Sequence, residues 1–324
     1  MDKKLRWGIL STGRIADWFC GDFHQVAGSE LSAVCSRSQE SADTFGDRFE
    51  IAKRFTSYTD LLADADVDCI YIGTPHTLHL EQAKEALRAG KAVLCEKPVT
   101  VGASECQDLI NVARETGSFL QEAMWTYFLP AMRKAKAWCD EGRIGEITHI
   151  KTDFGYPVPY HPQQREYDAS VGGGCLLEMG IYPIAIAALF APGRHELLHA
   201  AATKAPNGVE DDVTVTMRMG ETLVSLGTSF KVRLPNTAYI VGTKGRIVIP
   251  DAFRCEECFL YEIDDCIEHF KAERSTRGYE YQAVAMTEDI IAGAAESSIM
   301  TLEKSLQFQD TIDTIKREIG VSAD

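Results

Sequence analysis

The stretch Gly8-Ile9-Leu10-Ser11-Thr12-Gly13-Arg14-Ile15-Ala16 decides the fold of the first part of this chain. It begins in an apolar run and continues into an amphipathic segment, the order expected of a strand, a tight turn and a helix. Within it, Ser11-x-Gly13-x-x-Ala16 matches the pattern G-x-G-x-x-G/A, with serine at the first glycine position. The second glycine lets a diphosphate approach the backbone, and the helix start supplies N–H donors and a positive dipole end. The motif therefore predicts a dinucleotide site, formed by Ser11, Thr12, Gly13, Arg14 and Ile15.

Short apolar runs alternate with helical patterns over residues 1–125. Cys106, Leu109, Ile110 and Ala113, for example, recur at the spacing of one helix face. Apolar strands separated by such helices predict a parallel sheet with helices on both faces, the doubly wound or Rossmann class. The expected strands are Leu5–Leu10, Leu31–Cys35, Val67–Ile72, Ala92–Cys95 and Phe119–Met124.

The pattern changes in residues 126–324, where strands follow strands. Val213, Val215, Met217 and Met219 alternate with polar residues, which is typical of a half-buried antiparallel strand. We therefore expect an α+β substrate-binding domain over 126–324, with a mostly antiparallel sheet that is open on one face. Further strands are expected at Thr148–Phe154, Leu223–Phe230, Thr237–Val241 and Arg246–Ile249, and helices at Met132–Glu141, Gly174–Leu189, Tyr281–Ala292 and Leu302–Ile319.

Composition narrows the class of protein. The 324 residues include 33 Lys and Arg against 48 Asp and Glu, a net charge of −15. Nucleic-acid binders need a basic face, so we expect no nucleic-acid partner. The most apolar stretch, residues 181–191, is about half a membrane span and contains Pro183, which argues against a membrane protein. The sequence therefore predicts a cytoplasmic protein that binds a small-molecule substrate.

The ten cysteines are expected to be reduced and buried, as in most intracellular proteins. Cys255-x2-Cys258 followed by Cys266-x2-His269 has the pairing of a zinc knuckle. Only seven residues separate the two pairs, and the residues between them alternate like a strand. No metal site is therefore predicted.

The type of dinucleotide is read at the end of the second strand, at Ser36-Arg37-Ser38. An NAD enzyme usually places Asp or Glu there to bind the ribose 2′-hydroxyl. A guanidinium and two hydroxyls suit a 2′-phosphate, which a carboxylate would repel. The segment favours NADP, with NAD as the alternative cofactor and a solvated loop as the alternative structure.

Two further segments could carry the chemistry. Glu96-Lys97-Pro98 follows an expected strand, and strand carboxyl ends border the ligand crevice of such sheets, so Lys97 would point toward the nicotinamide. Glu178 and Tyr182 are four residues apart on an expected helix and share a face. A neighbouring ammonium would favour the phenolate of Tyr182, which could then relay a proton. The alternatives are an exposed loop with a surface ion pair and a tyrosine that belongs to the core.

Taken together and in order, the motifs resemble the Gfo/Idh/MocA oxidoreductases. The likeness extends along nearly the whole chain and is greatest to the branch of the dimeric dihydrodiol dehydrogenases and NADP-dependent D-xylose dehydrogenases. The segments that carry it are Gly8–Ala16, Thr74-Pro75-His76 with His79, Glu96-Lys97-Pro98, Glu122–Thr126, Gly172–Tyr182 and Asn236–Gly245.

The resemblance implies roles for individual residues. Lys97 and Tyr182 match the catalytic pair, with Tyr where the wider family more often has His. Glu178 joins the catalytic set, although this branch commonly has Asp there. Substrate contacts are implied for Trp125, Tyr160, His161, Arg165 and Tyr182. Cofactor contacts, with those from the motifs above, are expected at Ser11, Thr12, Gly13, Arg14, Ile15, Ser36, Arg37, Ser38, Thr74, Pro75, His76, His79, Glu96, Lys97 and Trp125.

The expected reaction is hydride transfer between nicotinamide and a CH–OH or carbonyl group of a sugar, a dihydrodiol or a related small polyol. Lys97 and Tyr182 would hold the substrate oxygen, and Tyr182 would move its proton. Two other functions stay open: a dinucleotide-binding sensor without turnover, and an NAD-dependent glycosidase of the same fold. A homodimer is expected, because the second domain has few helices to cover both faces of its sheet.

Overall fold

The computed structural model describes residues 4–321, which form two compact units. The first contains the described residues up to Trp125 together with Ser275–Leu306, and the second contains Thr126–Arg274 and the described residues from Gln307 onward. The N-terminal segment of the first unit stops at Trp125, where the predicted domain 1–125 also stops. The first unit also takes in Ser275–Leu306, which the sequence-based division places in the domain 126–324.

The first unit is built on a six-stranded, all-parallel sheet with strand order β3-β2-β1-β4-β5-β6. The order reverses between β1 and β4, and ligands of doubly wound folds bind at the carboxyl ends of strands at this point. The strands are β1 (Leu5–Leu10), β2 (Ser29–Cys35), β3 (Lys53–Phe55), β4 (Cys69–Ile72), β5 (Ala92–Glu96) and β6 (Leu120–Ala123). The helices between them are α1 (Arg14–Asp22), α2 (Gln39–Arg48), α3 (Tyr58–Ala63), α4 (His76–Arg88) and α5 (Ala103–Thr116).

The predicted Rossmann class is confirmed, and the five expected strands lie within a few residues of their predicted bounds. The apolar face predicted for α5 is buried, with Cys106, Leu109, Ile110 and Ala113 all less than 5% exposed. The sequence did not reveal β3, because it has three residues and two of them, Lys53 and Arg54, are charged. Pairing with β2 rather than an apolar pattern makes this short segment a strand.

The second unit contains an eight-stranded sheet with strand order β14-β13-β12-β11-β7-β10-β9-β8. Only the β7–β10 pair is parallel, so the predicted mostly antiparallel sheet is confirmed. Helices α6 (Pro130–Asp140) and α7 (Ile181–Phe190) pack against it. The strands are β7 (Ile147–Gly155), β8 (His195–Lys204), β9 (Glu210–Met219), β10 (Thr222–Ser229), β11 (Ala238–Gly242), β12 (Arg246–Ile249), β13 (Glu257–Glu262) and β14 (Asp265–Lys271).

Two more helices complete the chain. Helix α8 (Glu280–Ile291) belongs to the first unit, and α9 (Leu302–Glu318) begins in the first unit and continues in the second. The stretch Ala169–Phe190, which includes α7, is long and apolar enough to cross a membrane, but 83% of its most apolar window is buried inside the protein. This is the burial of a core helix. All ten cysteines are free; eight are buried as expected, while Cys139 is half-buried and Cys266 is exposed.

Candidate functional site

The turn between β1 and α1 presents backbone N–H groups at the start of a helix. Ser11 has φ +137°, in the region that favours glycine, which explains why the motif usually has glycine there. Its Oγ accepts a hydrogen bond from the amide of Gly13 at 3.0 Å. Gly13 is the N-cap of α1, so no side-chain oxygen caps the first N–H groups of the helix. These donors can bind an anion, and the turn therefore fits a dinucleotide.

The end of β2 lies beside this turn. The hydroxyls of Thr12 and Ser36 are 3.0 Å apart, which joins the diphosphate turn to the segment expected to bind the ribose. Arg37 is exposed at this position. Ser38 is the N-cap of α2 and accepts from the amide of Ser41 at 3.2 Å, so its hydroxyl has a structural role as well as the predicted one.

Buried histidine contacts join the turns that follow β4 and β5. The ring of His79 is fully buried, and its two nitrogens lie 2.8 Å from the carbonyl oxygen of Pro98 and 2.9 Å from that of Thr74. Its ring lies edge-on to that of His76, with 5.7 Å between centroids. His79 thus couples the Thr74-Pro75 turn to the turn that carries Lys97.

Two buried carboxylates lie close to Lys97. Glu96 is 6% exposed and accepts a hydrogen bond from the hydroxyl of Tyr71 at 2.7 Å. Glu122 is 1% exposed and accepts from the amide of Val99 at 3.0 Å. Burial raises the pKa of Glu96 to about 7 and also raises the pKa of Glu122, while the Lys97 ammonium opposes both shifts. This positive charge is therefore placed at the carboxyl end of β5, as the sequence predicts.

An aromatic stack lies in the same unit. Trp125 is buried, and its ring is stacked on that of Tyr279 with centroids 4.5 Å apart. Tyr279 comes from the segment that joins the first unit late in the chain. Neither Tyr71 nor Tyr279 was among the predicted site residues. Tyr71 could have been found as a polar side chain within a buried apolar strand, whereas no motif marks Tyr279.

The predicted catalytic segment of the second unit begins with a Gly-rich turn. Gly174 has φ +128°, and a Cβ there would clash with the buried carboxylate of Glu210, so glycine is favoured at this position. The following turn, Leu176–Gly180, is a π-helix that leads directly into α7. The shared face of Glu178 and Tyr182 was predicted for a regular α-helix, whereas Glu178 lies in this wider π-helical turn and Tyr182 in the first turn of α7.

Glu178 and Arg165, predicted from separate segments, meet in the structure. The two guanidinium nitrogens of Arg165 donate to the two carboxylate oxygens of Glu178 at 3.0 and 2.9 Å. Paired, charge-assisted hydrogen bonds of this kind are stronger than neutral ones, and they fix the relative orientation of both groups. Tyr160 packs edge-on against Tyr167, and His161 lies on the exposed loop that leads to Arg165.

Tyr182 lies among aromatic side chains. It is 7% exposed, and its ring is edge-on to Phe154 at 5.3 Å and to Phe253 at 6.0 Å. Phe154 and Phe253 are themselves stacked at 4.1 Å. Such packing restricts the ring to one orientation and gives the phenol oxygen a fixed position.

The comparisons agree with this architecture. Residues 5–124 match the NAD-binding Rossmann domain of the Gfo/Idh/MocA oxidoreductases, and residues 132–248 match the C-terminal domain of the same proteins. The chain belongs to the Gfo/Idh/MocA oxidoreductase family. The predicted resemblance and the assignment as a dinucleotide-dependent oxidoreductase are thereby confirmed.

Individual relatives are similar over almost their whole length. The trans-1,2-dihydrobenzene-1,2-diol dehydrogenases of Danio rerio and Homo sapiens are each 32% identical over 98% of this chain and cover 97% and 98% of their own. A 3-ketoreductase from Actinomadura kijaniata, solved with NADP and TDP-benzene, is 27% identical with a TM-score of 0.86 over 98% of both chains. An aldose-aldose oxidoreductase from Caulobacter crescentus, 24% identical with a TM-score of 0.89 over 97% of both chains, shares the fold.

Proposed function

We propose that the chain is an NADP-dependent dehydrogenase or reductase acting on a CH–OH or carbonyl group of a sugar, a dihydrodiol or a related small polyol. The observation that carries the proposal is the link between Thr12 and Ser36, which holds the diphosphate turn next to an exposed Arg37. The named activities of the relatives and the NADP bound to the 3-ketoreductase support it. When bound, the dinucleotide accepts or donates the hydride.

The first unit is proposed to bind the cofactor and the second to bind the substrate. Arg37 would pair with the 2′-phosphate, with Ser36 and Ser38 beside it. The amides after Ser11 would receive the diphosphate. Contacts to the rest of the dinucleotide are proposed for Thr12, Gly13, Arg14, Ile15, Thr74, Pro75, His76, His79, Glu96, Lys97 and Trp125.

The proton is proposed to move through Tyr182. In the oxidative direction the substrate O–H proton passes to the phenolate oxygen of Tyr182 as the C–H bond breaks and the hydride leaves, and in reduction the phenol returns the proton. The ammonium of Lys97 would donate a hydrogen bond to the same substrate oxygen. Solved variants of the 3-ketoreductase replace a lysine and a tyrosine whose separation in that chain differs by one residue from that of Lys97 and Tyr182. This spacing supports the assignment.

We assign Glu178 to the catalytic set as the group whose charge and orientation are fixed by Arg165. Since both carboxylate oxygens accept from the guanidinium, the pair presents a rigid polar edge near the start of α7. Tyr160, His161 and Arg165 are proposed to line the substrate side of the second unit.

A homodimer that covers the open face of the second sheet is also proposed. Over Val213–Met219 of β9 and Thr222–Leu226 of β10, every second side chain is buried and those between, such as Thr216 and Leu223, are exposed. Tyr239 on β11 is likewise exposed, at 39%. We propose that this exposed face pairs with the same face of a second copy in a twofold dimer. A cytoplasmic location is proposed as well, since eight buried free thiols suit a reducing compartment.

The experiment that tests the proposed function has two stages. Nicotinamide fluorescence first measures the binding of NADPH and NADH to the purified protein. NADP⁺ reduction is then screened with sugars and diols, and NADPH oxidation with dicarbonyl compounds. Turnover with NADP(H) supports the proposal. Binding without turnover across the panel would instead identify a sensor, and tightly retained NAD would indicate the glycosidase chemistry.

A further inference from the structure

Residues 277–279 contact helix α1, whose first turn is proposed above to bind the diphosphate. Asp22, the last residue of α1, is 5% exposed, and its Oδ2 accepts from the amides of Gly278 at 3.0 Å and Tyr279 at 3.1 Å. Gly278 has φ +107°, which favours glycine at this contact. Two buried hydrogen bonds to a carboxylate therefore fix this segment on the helix.

The side chain of Tyr279 adds a second attachment. Its ring is stacked between those of Trp125, with centroids 4.5 Å apart, and Trp18, with centroids 6.4 Å apart. Trp18 lies on α1, four residues after Arg14. The three rings fix the position of Tyr279. The two residues that precede it, Arg277 and Gly278, are therefore held beside α1.

The guanidinium of Arg277 lies over the indole of Trp18, 4.9 Å from the ring centroid. The guanidinium of Arg14, the first residue of α1, lies 5.3 Å from the same ring. Two positive charges from distant parts of the chain thus converge on one side chain in the second turn of α1. Both arginines are exposed, so a ligand can reach them.

This convergence has an electrostatic consequence. The chain has a net charge of −15, and a dinucleotide is a multiply charged anion. Local cations and a helix N-terminus are needed to bind such an anion against that overall charge. Arg37 stands at the end of β2, where the 2′-phosphate is expected, so it does not supply the charge for the diphosphate.

We propose that Arg277 is a further cofactor-binding residue, which contacts the diphosphate of the dinucleotide together with Arg14 and the N-terminus of α1. The dinucleotide site would then include residues 277–279, which are far from the Gly-rich motif in the sequence. The inference rests on the proposed function only for the identity of the anion. Because NADP and NAD share the diphosphate, Arg277 should affect both cofactors equally.

The test compares Arg277→Ala with wild type by fluorescence titration of NADPH and NADH. The dissociation constants of both cofactors should rise about tenfold, the loss expected for one charge-assisted contact. The dissociation constants of Arg277→Lys should lie between those of the wild type and those of Arg277→Ala. Added salt should weaken cofactor binding by the wild type more than binding by Arg277→Ala. Arg88→Ala, an exposed arginine in the last turn of α4, is the matched control and should change neither constant.

A second variant tests the attachment. Asp22→Asn should weaken binding of both cofactors in the wild-type background and have little further effect in Arg277→Ala, because it acts by positioning Arg277. Thermal unfolding of each variant checks that the fold is kept. Unchanged constants in a folded Arg277→Ala protein, or a loss confined to NADPH, would overturn the inference. Failure of the wild type to bind either dinucleotide would instead overturn the proposed function.

Discussion

The hydroxyl of Tyr71 donates a 2.7 Å hydrogen bond to the carboxylate of Glu96, the residue that precedes Lys97. Tyr71 is itself fully buried and stacked on Phe19, with centroids 4.0 Å apart. The donor cannot move away, so it fixes the side chain of Glu96 at the carboxyl end of β5. This buried hydrogen bond thereby stabilises the turn that carries Lys97.

This pair leads to a prediction about pH. Burial raises the pKa of Glu96 from 4.5 to about 7. Between these two pH values, Glu96 is protonated in the folded protein and ionised in the unfolded chain. The contribution of Glu96 to folding stability should therefore fall as pH rises from about 4.5 to 7. Glu96→Gln removes this dependence, and its stability relative to wild type should improve by on the order of 1–3 kcal/mol between pH 5 and pH 8.

Urea unfolding at several pH values measures the effect. The other titratable groups that interact with Glu96 remain in the variant; they are Tyr71, Cys95, Lys97, Glu122 and Tyr279. Tyr71→Phe removes a hydrogen bond that favours the ionised form, so it should shift the pH dependence upward rather than abolish it. Parallel stability curves for wild type and Glu96→Gln would contradict the prediction.

Arg37 should determine the preference for NADP(H). Removing a charge-assisted contact at an exposed site should cost on the order of 1.5 kcal/mol, which is about a tenfold change in affinity. Arg37→Ala should therefore raise the dissociation constant for NADPH about tenfold and leave that for NADH nearly unchanged, as measured by fluorescence titration. Equal affinity of the wild type for the two cofactors would show that Arg37 does not bind a 2′-phosphate.

The Arg165–Glu178 pair should control substrate affinity. Glu178→Asp keeps the charge but shortens the side chain by a methylene, so the two bonds to Arg165 cannot both keep their lengths. We expect both Glu178→Asp and Arg165→Ala to raise KM several-fold without changing the NADPH dissociation constant. Steady-state kinetics on a substrate from the screen checks this. An unchanged KM in both variants would limit the pair to a structural role.

The open face of the second sheet should form the dimer interface. A stable interface of this kind buries more than about 2,000 Å² in total, so the wild type should have twice the chain mass by light scattering at micromolar concentration. Tyr239→Asp and Leu223→Asp place charges on this face and should produce monomers. Ile291→Asp changes an exposed apolar residue on α8 of the first unit and should leave the mass unchanged. A monomeric wild type would rule the dimer out.

Sequence reasoning succeeded where a regular pattern decides the structure. The apolar run of β1 marks a strand that becomes buried along its length, and the alternation along most of β9 marks a strand with one buried and one exposed face. The positions of both strands could therefore be predicted from the sequence. Sequence reasoning failed for β3. It also did not anticipate β8 or β14, the two edge strands of the second sheet, whose side chains are mostly exposed. These strands depend on pairing with a neighbour, which no local pattern records.

The candidate site shows the same division. The turn from Ser11 to Gly13 was predicted because its motif is local. The grouping of Ser275–Leu306 with the first unit could not be, since it depends on contacts such as those of Asp22 with Gly278 and Tyr279, which are distant in sequence. Likewise, Glu178 was singled out by its spacing from Tyr182 and Arg165 by the resemblance, but their paired hydrogen bonds follow only from the folded geometry.

The most direct test of the central claim is the turnover of Tyr182→Phe. This change removes one hydroxyl and keeps the ring packed against Phe154 and Phe253, so folding and NADPH affinity should be preserved. If Tyr182 relays the proton, kcat should fall by about 10²–10⁴-fold. Lys97→Met should be at least as damaging, and the double variant little worse than either, because groups that act as a unit fail together. Near wild-type turnover of folded, NADPH-binding Tyr182→Phe would contradict the account and leave Tyr182 as a packing residue.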